Sequence, residues 1–354
     1  MEIKVFTPNE FNKLESVWKQ LESGLDMTVF QHYDWYKYVN DLYDKEKAKK
    51  VFRKWVYLLV TDNKKPLMIA PIQVIKAGVQ YKNVGLARGA YFIGRKGYSD
   101  YLNFIYKDFS DEAAKAVFYY IRHTLKIKRI CFEQLLETTS LYQFIIKSYD
   151  YNQSECYCAA LVLPDTFDEY KKKLSKSTRQ NIRTALNRQN RNGLNLSHEI
   201  VYQLDEGMTD ILMAIREQRL AEKRKKSGTN ASIKGKIYGK LRGVLISLFN
   251  AEHDVINESC NPWCFLVKKE DRIVSYFWGM KNDYRDEYYV ILAGVDKEFT
   301  WYSPSLSHLY LFIQEQYESG DKKIKVLDFT RGGERYKEDM GASKKSAWAI
   351  SFRI

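Results

Sequence analysis

The sequence predicts an α/β fold of the α+β kind, built as two tandem domains that each set helices against a mixed sheet. Three observations predict it. A chain of 354 residues exceeds the roughly 100 to 200 residues that one domain usually holds. Hydrophobic periodicity gives the same element order twice, β-α-α-β-β-β-α-β-α-β. A strongly basic helical stretch opens the second series, so the expected division is 1–164 and 165–354.

In the first series, Ile3 and Val5 alternate with polar residues as a short strand, and Thr7-Pro8-Asn9-Glu10 reads as a capping box with proline at the first helical position. That helix is expected to reach about Leu21, with a second around Trp35 to Leu42. Two apolar runs, Trp55 to Thr61 and Leu67 to Ile75, flank the turn Asp62-Asn63-Lys64-Lys65 and predict a hairpin. A strand at Tyr101 to Ile105, a helix at Asp111 to Thr124, a strand at Arg129 to Gln134, a helix at Leu141 to Ser148 and a strand at Tyr157 to Leu163 complete the series.

The second series opens with one basic helix from about Phe167 to Asn192, ended by Gly193 as a left-handed cap. A strand at Leu196 to Val201 precedes helices at Met208 to Lys223 and Lys236 to Ala251. Strands follow at Cys264 to Lys268, Ile273 to Met280 and Tyr288 to Ala293. A helix from Pro304 to Tyr317, a strand at Ile324 to Asp328, a helical turn near Glu334 to Met340 and a strand at Ala347 to Phe352 close it.

Charge is concentrated. Of the net +13, residues 171–191 contribute eight basic residues and no acid, and residues 222–242 eight basic and one acid, which leaves the remainder close to neutral. Localised positive charge attracts phosphate-bearing ligands, although a solvated Lys/Arg face has the same composition. No run approaches the roughly 20 apolar residues that span a bilayer, and the start is too polar for a signal peptide. A cytoplasmic protein without a membrane span is expected. The five cysteines lack Cys-x-x-Cys pairs and the five histidines lack ligand spacing, so no metal is expected.

The segment from Gly294 to Lys337 is the most informative. A strand ends at Gly294, a loop follows, and Ser303-Pro304 opens a helix as N-cap and first residue. Its first turn, Pro304-Ser305-Leu306-Ser307, holds no carboxylate. A positive helix end with free N–H groups suits a phosphate or pyrophosphate, although Ser-Pro is also simply a good helix start. The equivalent helix of the first series begins Ser110-Asp111-Glu112, whose own acids occupy that field.

The next strand runs into Asp328-Phe329-Thr330-Arg331-Gly332-Gly333-Glu334-Arg335-Tyr336-Lys337. Here the sequence resembles the CelD-like branch of the GNAT acetyltransferases, whose closing motif is D-F-x-R-G-x-E-x-Y-K. Asp328, Phe329, Arg331, Gly332, Glu334, Tyr336 and Lys337 match it. Gly320 matches a glycine that follows the helix start, Ser99-Asp100-Tyr101 resembles an Asp-Tyr before a strand, and Ser175 to Gly193 resembles a basic S-x-x-x-R-x-x-I-R helix. Ser305 departs from the usual glycine, and a side chain there narrows the approach of a donor phosphate.

The resemblance implies acetyl-CoA or another acyl-CoA as co-substrate, entering where two strands of the second domain splay, with Gly294, Ser303, Pro304 and Ser305 on the donor side. Asp328 or Glu334 would take the acceptor's proton and Tyr336 would return one to the thiolate. Arg331 and Lys337 would join them in the site, or pair with those acids as a clamp. Fem-type aminoacyltransferases share the two-domain plan. In that relationship Asp100, Tyr101, Arg179 and Arg183 would grip a small-molecule or nucleotide-linked acceptor. The expected function is N- or O-acyl transfer to a sugar, nucleotide-sugar or peptide precursor of cell-envelope material. The alternatives are an aminoacyl-tRNA-dependent transferase, for which tRNA is the partner, and an RNA-binding or scaffold protein on the same fold; DNA is not expected. Lys223 to Asn230 reads as a solvated loop or as a lid, and His308, beside Leu309 and Phe312, as a core-edge histidine.

Overall fold

The computed structural model describes residues 1–45, 53–75, 79–81, 84–86, 88–94, 99–226, 260–282, 284–320 and 324–354. Of these, 1–156 and 346–354 form one compact unit, and 157–226 and 260–345 a second.

In the first unit the Thr7 capping box forms as the residues dictate: the Thr7 N–H and hydroxyl both donate to Glu10 Oε2, at 3.2 and 3.1 Å. Pro8 opens a 3-10 turn that leads into α1 (Glu15–Leu21), and α2 (Tyr33–Lys45) follows. Their apolar faces meet in a cluster where Phe11 stacks on Tyr33 at 5.0 Å and Trp18 and Tyr57 close the sides. Each such ring removed from water contributes roughly 1.5 to 3 kcal/mol. Below them lie β1 (Glu2–Phe6), β2 (Arg53–Asp62) and β3 (Lys65–Ile75). The β2–β3 turn places Asn63 at φ 47° and Lys64 at φ 69°, the paired left-handed conformation that suits a two-residue hairpin.

A separate two-stranded ribbon, β4 (Val79–Tyr81) and β5 (Val84–Leu86), precedes β6 (Gly89–Phe92). Then come α3 (Asp111–His123), β7 (Arg129–Leu136) and α4 (Ser140–Ser148). Strand β8 (Tyr151–Val162) carries the chain into the second unit, and the last strand, β14 (Ser343–Arg353), supplies the edge beside β7. The sheet of the first unit runs β1-β2-β3-β6-β7-β14, with β6 and β7 parallel.

The second unit contains α5 (Phe167–Lys173), α6 (Lys176–Arg191), β9 (Leu196–Val201), α7 (Glu206–Lys226), β10 (Pro262–Lys269), β11 (Arg272–Asn282) and β12 (Glu287–Val295). A 3-10 turn at Lys297–Tyr302 leads to α8 (Pro304–Glu318), β13 (Val326–Arg331) and α9 (Arg335–Asp339). Its sheet runs β8-β13-β12-β11-β10-β9, and β12 and β13 are parallel. Trp263, Phe265, Phe277, Tyr288, Leu309, Ile313 and Phe329 pack its core.

Three expectations are corrected. The division at 164/165 fails for the terminal strands: β8 of the first series pairs with β13, and β14 of the second with β7. A strand belongs to the ladder that satisfies its N–H and C=O groups, and periodicity does not encode which ladder that is. The strand predicted at Tyr101 to Ile105 is a loop, because Tyr101 takes φ 53° and only Ile105 bridges to Ile69. The single basic helix is two, since Leu174 and Ser175 are extended and Ser175 Oγ caps α6 by accepting from the Thr178 N–H at 3.0 Å. The helix expected at Lys236 to Ala251 and the 227–230 part of the basic loop lie outside the described residues. Among the described residues no helix is long and apolar enough to cross a membrane.

Candidate functional site

Parallel strands β12 and β13 pair only at Glu287↔Val326, Tyr288↔Leu327 and Tyr289↔Asp328. Beyond that point they part. Thr330, at φ 52°, turns its hydroxyl to donate to the Val290 carbonyl at 2.7 Å, which satisfies the acceptor that β13 no longer reaches. On its other edge β12 bulges: Leu292 pairs with Trp278 and Val290 with Gly279, so Ile291 is the extra residue. Gly279 is required there, since a Cβ would lie 1.6 Å from the Tyr289 carbonyl oxygen. The outer half of β12 is therefore one wall of an open splay.

The chain leaves β12 under tight control. Arg272 donates from Nε and Nη2 to Asp296 Oδ2 at 3.2 and 2.7 Å and from Nη2 to Glu298 at 2.7 Å. Asp296 Oδ1 accepts from the Glu298 N–H at 3.1 Å, which starts the 3-10 turn. Gln189 of α6 braces the far end, donating to the Tyr302 carbonyl and to Ser307 Oγ, both at 2.9 Å.

Ser303 then enters α8 in the left-handed conformation, φ 47° and ψ 49°, with no side-chain cap, and the first turn holds no acid. The first N–H groups of a helix have no intrahelical partner, and here no carboxylate of the helix covers them. Ser305 points its hydroxyl at Ser275 of β11, with the oxygens 2.5 Å apart. Its side chain is thus engaged with the sheet, which relieves the narrowing that the departure from glycine implied.

A cavity of about 360 Å³ lies against the outer end of β12, lined by Gly294, Lys297, Ser303, Pro304, Ser305, Arg219 and Tyr336 among others; among the described residues its walls carry cations and no carboxylate. Arg219 of α7 donates to the Ala293 carbonyl at 3.1 Å and so holds the outer end of β12. Tyr336 stacks on Phe277 at 6.0 Å and meets Phe329 edge-on at 5.8 Å. Burial, with a smaller contribution from Glu334, pushes its phenol well above the ordinary value, against the opposing field of Arg219. It keeps its proton at neutral pH.

The four donor-side residues named from sequence come together here, with one change of role. A Cβ on Gly294 would lie 2.5 Å from the Tyr276 ring and 2.9 Å from Ile215. The chain's own packing demands this glycine, whatever passes along its open side.

Of the closing motif only Tyr336 lines the cavity. Asp328 is buried, accepting from the Thr330 N–H at 2.7 Å and from Lys345 Nζ at 2.8 Å. Lys337 is also buried and donates to the carbonyls of Phe329, Arg331 and Gly332 at 3.0, 2.7 and 2.9 Å, with Glu334 3.1 Å away. Arg331 and Glu334 stand at the two ends of that turn. The carboxylate of Asp328 is thus paired with Lys345 and that of Glu334 with Lys337, and neither residue is among those that line the cavity.

The acceptor-side residues are divided between the two units. Asp100 and Tyr101 are buried in the first unit, where the Tyr101 carbonyl accepts from Gln31 at 2.9 Å and its ring meets Phe30. In the second unit, Arg179 donates to the carbonyls of Lys171 and Leu174 at 2.9 Å each and ties α5 to α6, while Arg183 is exposed one turn on. Arg179 thus caps the end of α5 through its Nη1. His308 is buried, its Nδ1 3.1 Å from His198 Nδ1, and His198 Nε2 is 2.9 Å from Glu315. Burial, then the neighbouring His198, lowers its pKa to about 4, so it is neutral.

Arg219 and Lys297 carry no motif and were not singled out from sequence. A signal for Arg219 was present, since Leu212, Ile215 and Arg219 fall at i, i+3 and i+7 on one face of α7, and the first two are buried. A cation in register with an apolar stripe faces inward.

Residues 176–338 match the family model of the acetyltransferase (GNAT) domain. Among solved structures, a conserved protein of unknown function from Bacteroides thetaiotaomicron aligns over 100% of both chains with TM-score 0.51 and 10% identity. FemX aligns over 100% of this chain and 98% of its own, with TM-score 0.55 and 13% identity. L-PGS from Bacillus licheniformis aligns over 90% of this chain and 91% of its own, with TM-score 0.51 and 10% identity. At such identities the likeness is one of fold. No curated protein matches the sequence.

Proposed function

We propose that the protein is an acyl-CoA-dependent N- or O-acyltransferase whose acceptor is a sugar, nucleotide-sugar or peptide precursor of cell-envelope material. The observation that carries this reading is the parting of β12 from β13 beside an uncapped helix end, with a cavity against the outer end of β12 that is lined by Arg219 and Lys297 and, among the described residues, by no carboxylate. The GNAT-domain match over residues 176–338 supports the donor. The acceptor class rests on the resemblance of the closing motif and on the fold shared with FemX.

In this reading a CoA thioester brings the activated carbonyl and a thiolate leaving group. The α8 start, with Ser303, Pro304 and Ser305, faces the donor's pyrophosphate, and Lys297 adds a cation at the same wall. Backbone N–H groups of β12 beyond Tyr289, on the edge from which β13 parts, would polarise the carbonyl in the manner of an oxyanion hole. As the acceptor's nitrogen or oxygen bonds to the carbonyl carbon and the C–S bond breaks, Tyr336, protonated and on the cavity wall, would donate to the departing sulfur. The acceptor's proton would pass to water, from which Tyr336 is reprotonated. Arg219 would hold β12 open through Ala293, and Asp328, Arg331, Glu334 and Lys337 would position Tyr336 by fixing the turn before it. Among the described residues no carboxylate lines the cavity, so the rate would come from orientation and electrostatics more than from a side-chain base.

Titration calorimetry with CoA and acetyl-CoA tests the donor. Saturable binding is expected, with a rise in thermal midpoint that grows with ligand concentration, because a ligand held only by the folded state stabilises it. Binding of an aminoacyl-tRNA with no response to either CoA species would replace this donor with the Fem-type one.

A further inference from the structure

Trp301 is 66% exposed, an unusual position for an indole, yet it is firmly held. The Arg188 guanidinium lies 3.6 Å from its ring centroid, and Arg188 Nη1 donates to the Trp301 carbonyl. Arg188 sits one residue before Gln189, which braces Tyr302 and Ser307. Two successive residues of α6 thus contact the indole and the start of α8. One face of the ring is taken by the guanidinium, and the exposure is that of a flat aromatic surface left to solvent.

Its place in the chain gives that surface a purpose. Thr300 on one side and Ser303 on the other line the donor cavity, as does Lys297 earlier in the same turn. A 3-10 turn rises about 2 Å per residue, so the indole is anchored roughly 4 Å along the chain from Ser303. Phosphates lodged at the α8 start would leave an attached nucleoside at the cavity rim beside Trp301. Arg188 and Lys297 are cationic and suit a phosphorylated ligand. Arg188 stacks over one face of the indole, and an exposed aromatic ring offers a π-face on which a base can stack.

We infer that Trp301, held flat by Arg188, is the platform on which the adenine of the CoA donor stacks. The inference rests on the acyl-CoA reading above and adds its nucleotide end. No bond forms or breaks here; the platform contributes affinity and orients the donor.

Calorimetry on the full chain with CoA and with 4′-phosphopantetheine, which lacks the whole 3′-phosphoadenylate half, separates the two readings. The unaltered protein should bind CoA more tightly than 4′-phosphopantetheine. Trp301→Ala should weaken CoA binding roughly 10-fold, in line with the stacking of one base on one aromatic ring, and leave 4′-phosphopantetheine unchanged. Trp301→Phe should recover most of the loss. An exposed indole is a small part of the core, and an unchanged melting midpoint would show that the variant folds. CoA bound equally well by Trp301→Ala, or both ligands weakened alike, overturns the platform while the donor reading stands. Neither ligand bound by the unaltered protein overturns both.

Discussion

Helices α3 and α8 occupy the same place in two series of elements and begin in opposite ways. At α3, Ser110 Oγ accepts from the Ala113 N–H at 3.1 Å, and Asp111 and Glu112 fill the first turn. At α8, Ser303 is left-handed, has no side-chain cap, and introduces a first turn without acids. Their buried faces differ as well. Ala113, Ala114, Val117, Phe118 and Ile121 of α3 are apolar, whereas α8 buries Ser307 and His308 along with Leu309 and Ile313. The first helix satisfies itself. The second is held by polar contacts from Gln189 and His198, and its positive end has neither a side-chain cap nor an acid in its first turn.

The largest expected consequence is a pH dependence confined to α8. His308 has its pKa lowered to about 4 by burial and by His198, with Glu315 beyond on the far nitrogen of His198. Between that value and its ordinary one the unfolded chain binds a proton that the folded chain refuses, so stability rises with pH across this window and is lost as pH falls through it. The full loss is roughly 3 kcal/mol, about 2 of it by pH 5. Hydrogen exchange should accelerate at α8 amides between pH 7 and pH 5, after correction for the intrinsic rate, and stay constant at α3 amides. Equal acceleration at both helices would break the comparison.

A smaller effect comes from giving α8 what α3 already has. Ser305→Asp places a carboxylate in the open first turn, where it competes with a phosphate for the same N–H groups and field. CoA affinity should fall roughly 10-fold, and the melting midpoint should hold or rise, since an acid at a helix start is stabilising. Undiminished CoA binding would show that the donor's phosphates lie elsewhere.

This contrast was legible in sequence because capping is local: Ser110-Asp111-Glu112 and Ser303-Pro304-Ser305 state it within three residues each. So was the hairpin turn at Asn63-Lys64. What sequence concealed is non-local. Strands β8 and β14 find their ladders far along the chain, and apolar periodicity is the same whichever ladder receives it. The closing motif shows the same limit. The resemblance leaves its residues open to a reactive or a clamping role; in the structure Lys337 donates to three carbonyls, and Asp328 accepts from Lys345 and the Thr330 N–H. Spacing fixes which residues are neighbours, whereas burial decides whether a charge is left for chemistry.

The smallest effect tests the two caps directly. Ser110→Ala removes a hydroxyl that accepts from the Ala113 N–H at 3.1 Å and should cost about 1 kcal/mol by denaturant titration. Ser303→Ala removes a hydroxyl with no capping bond, so by the same principle its cost should stay below about 0.3 kcal/mol. The backbone strain of a left-handed residue is common to serine and alanine and cancels in that comparison. Equal costs at the two positions would mean that Ser303 caps α8 after all, and a self-capped helix has its positive end already spoken for. Unequal costs in the expected direction leave that end open, as the donor reading requires.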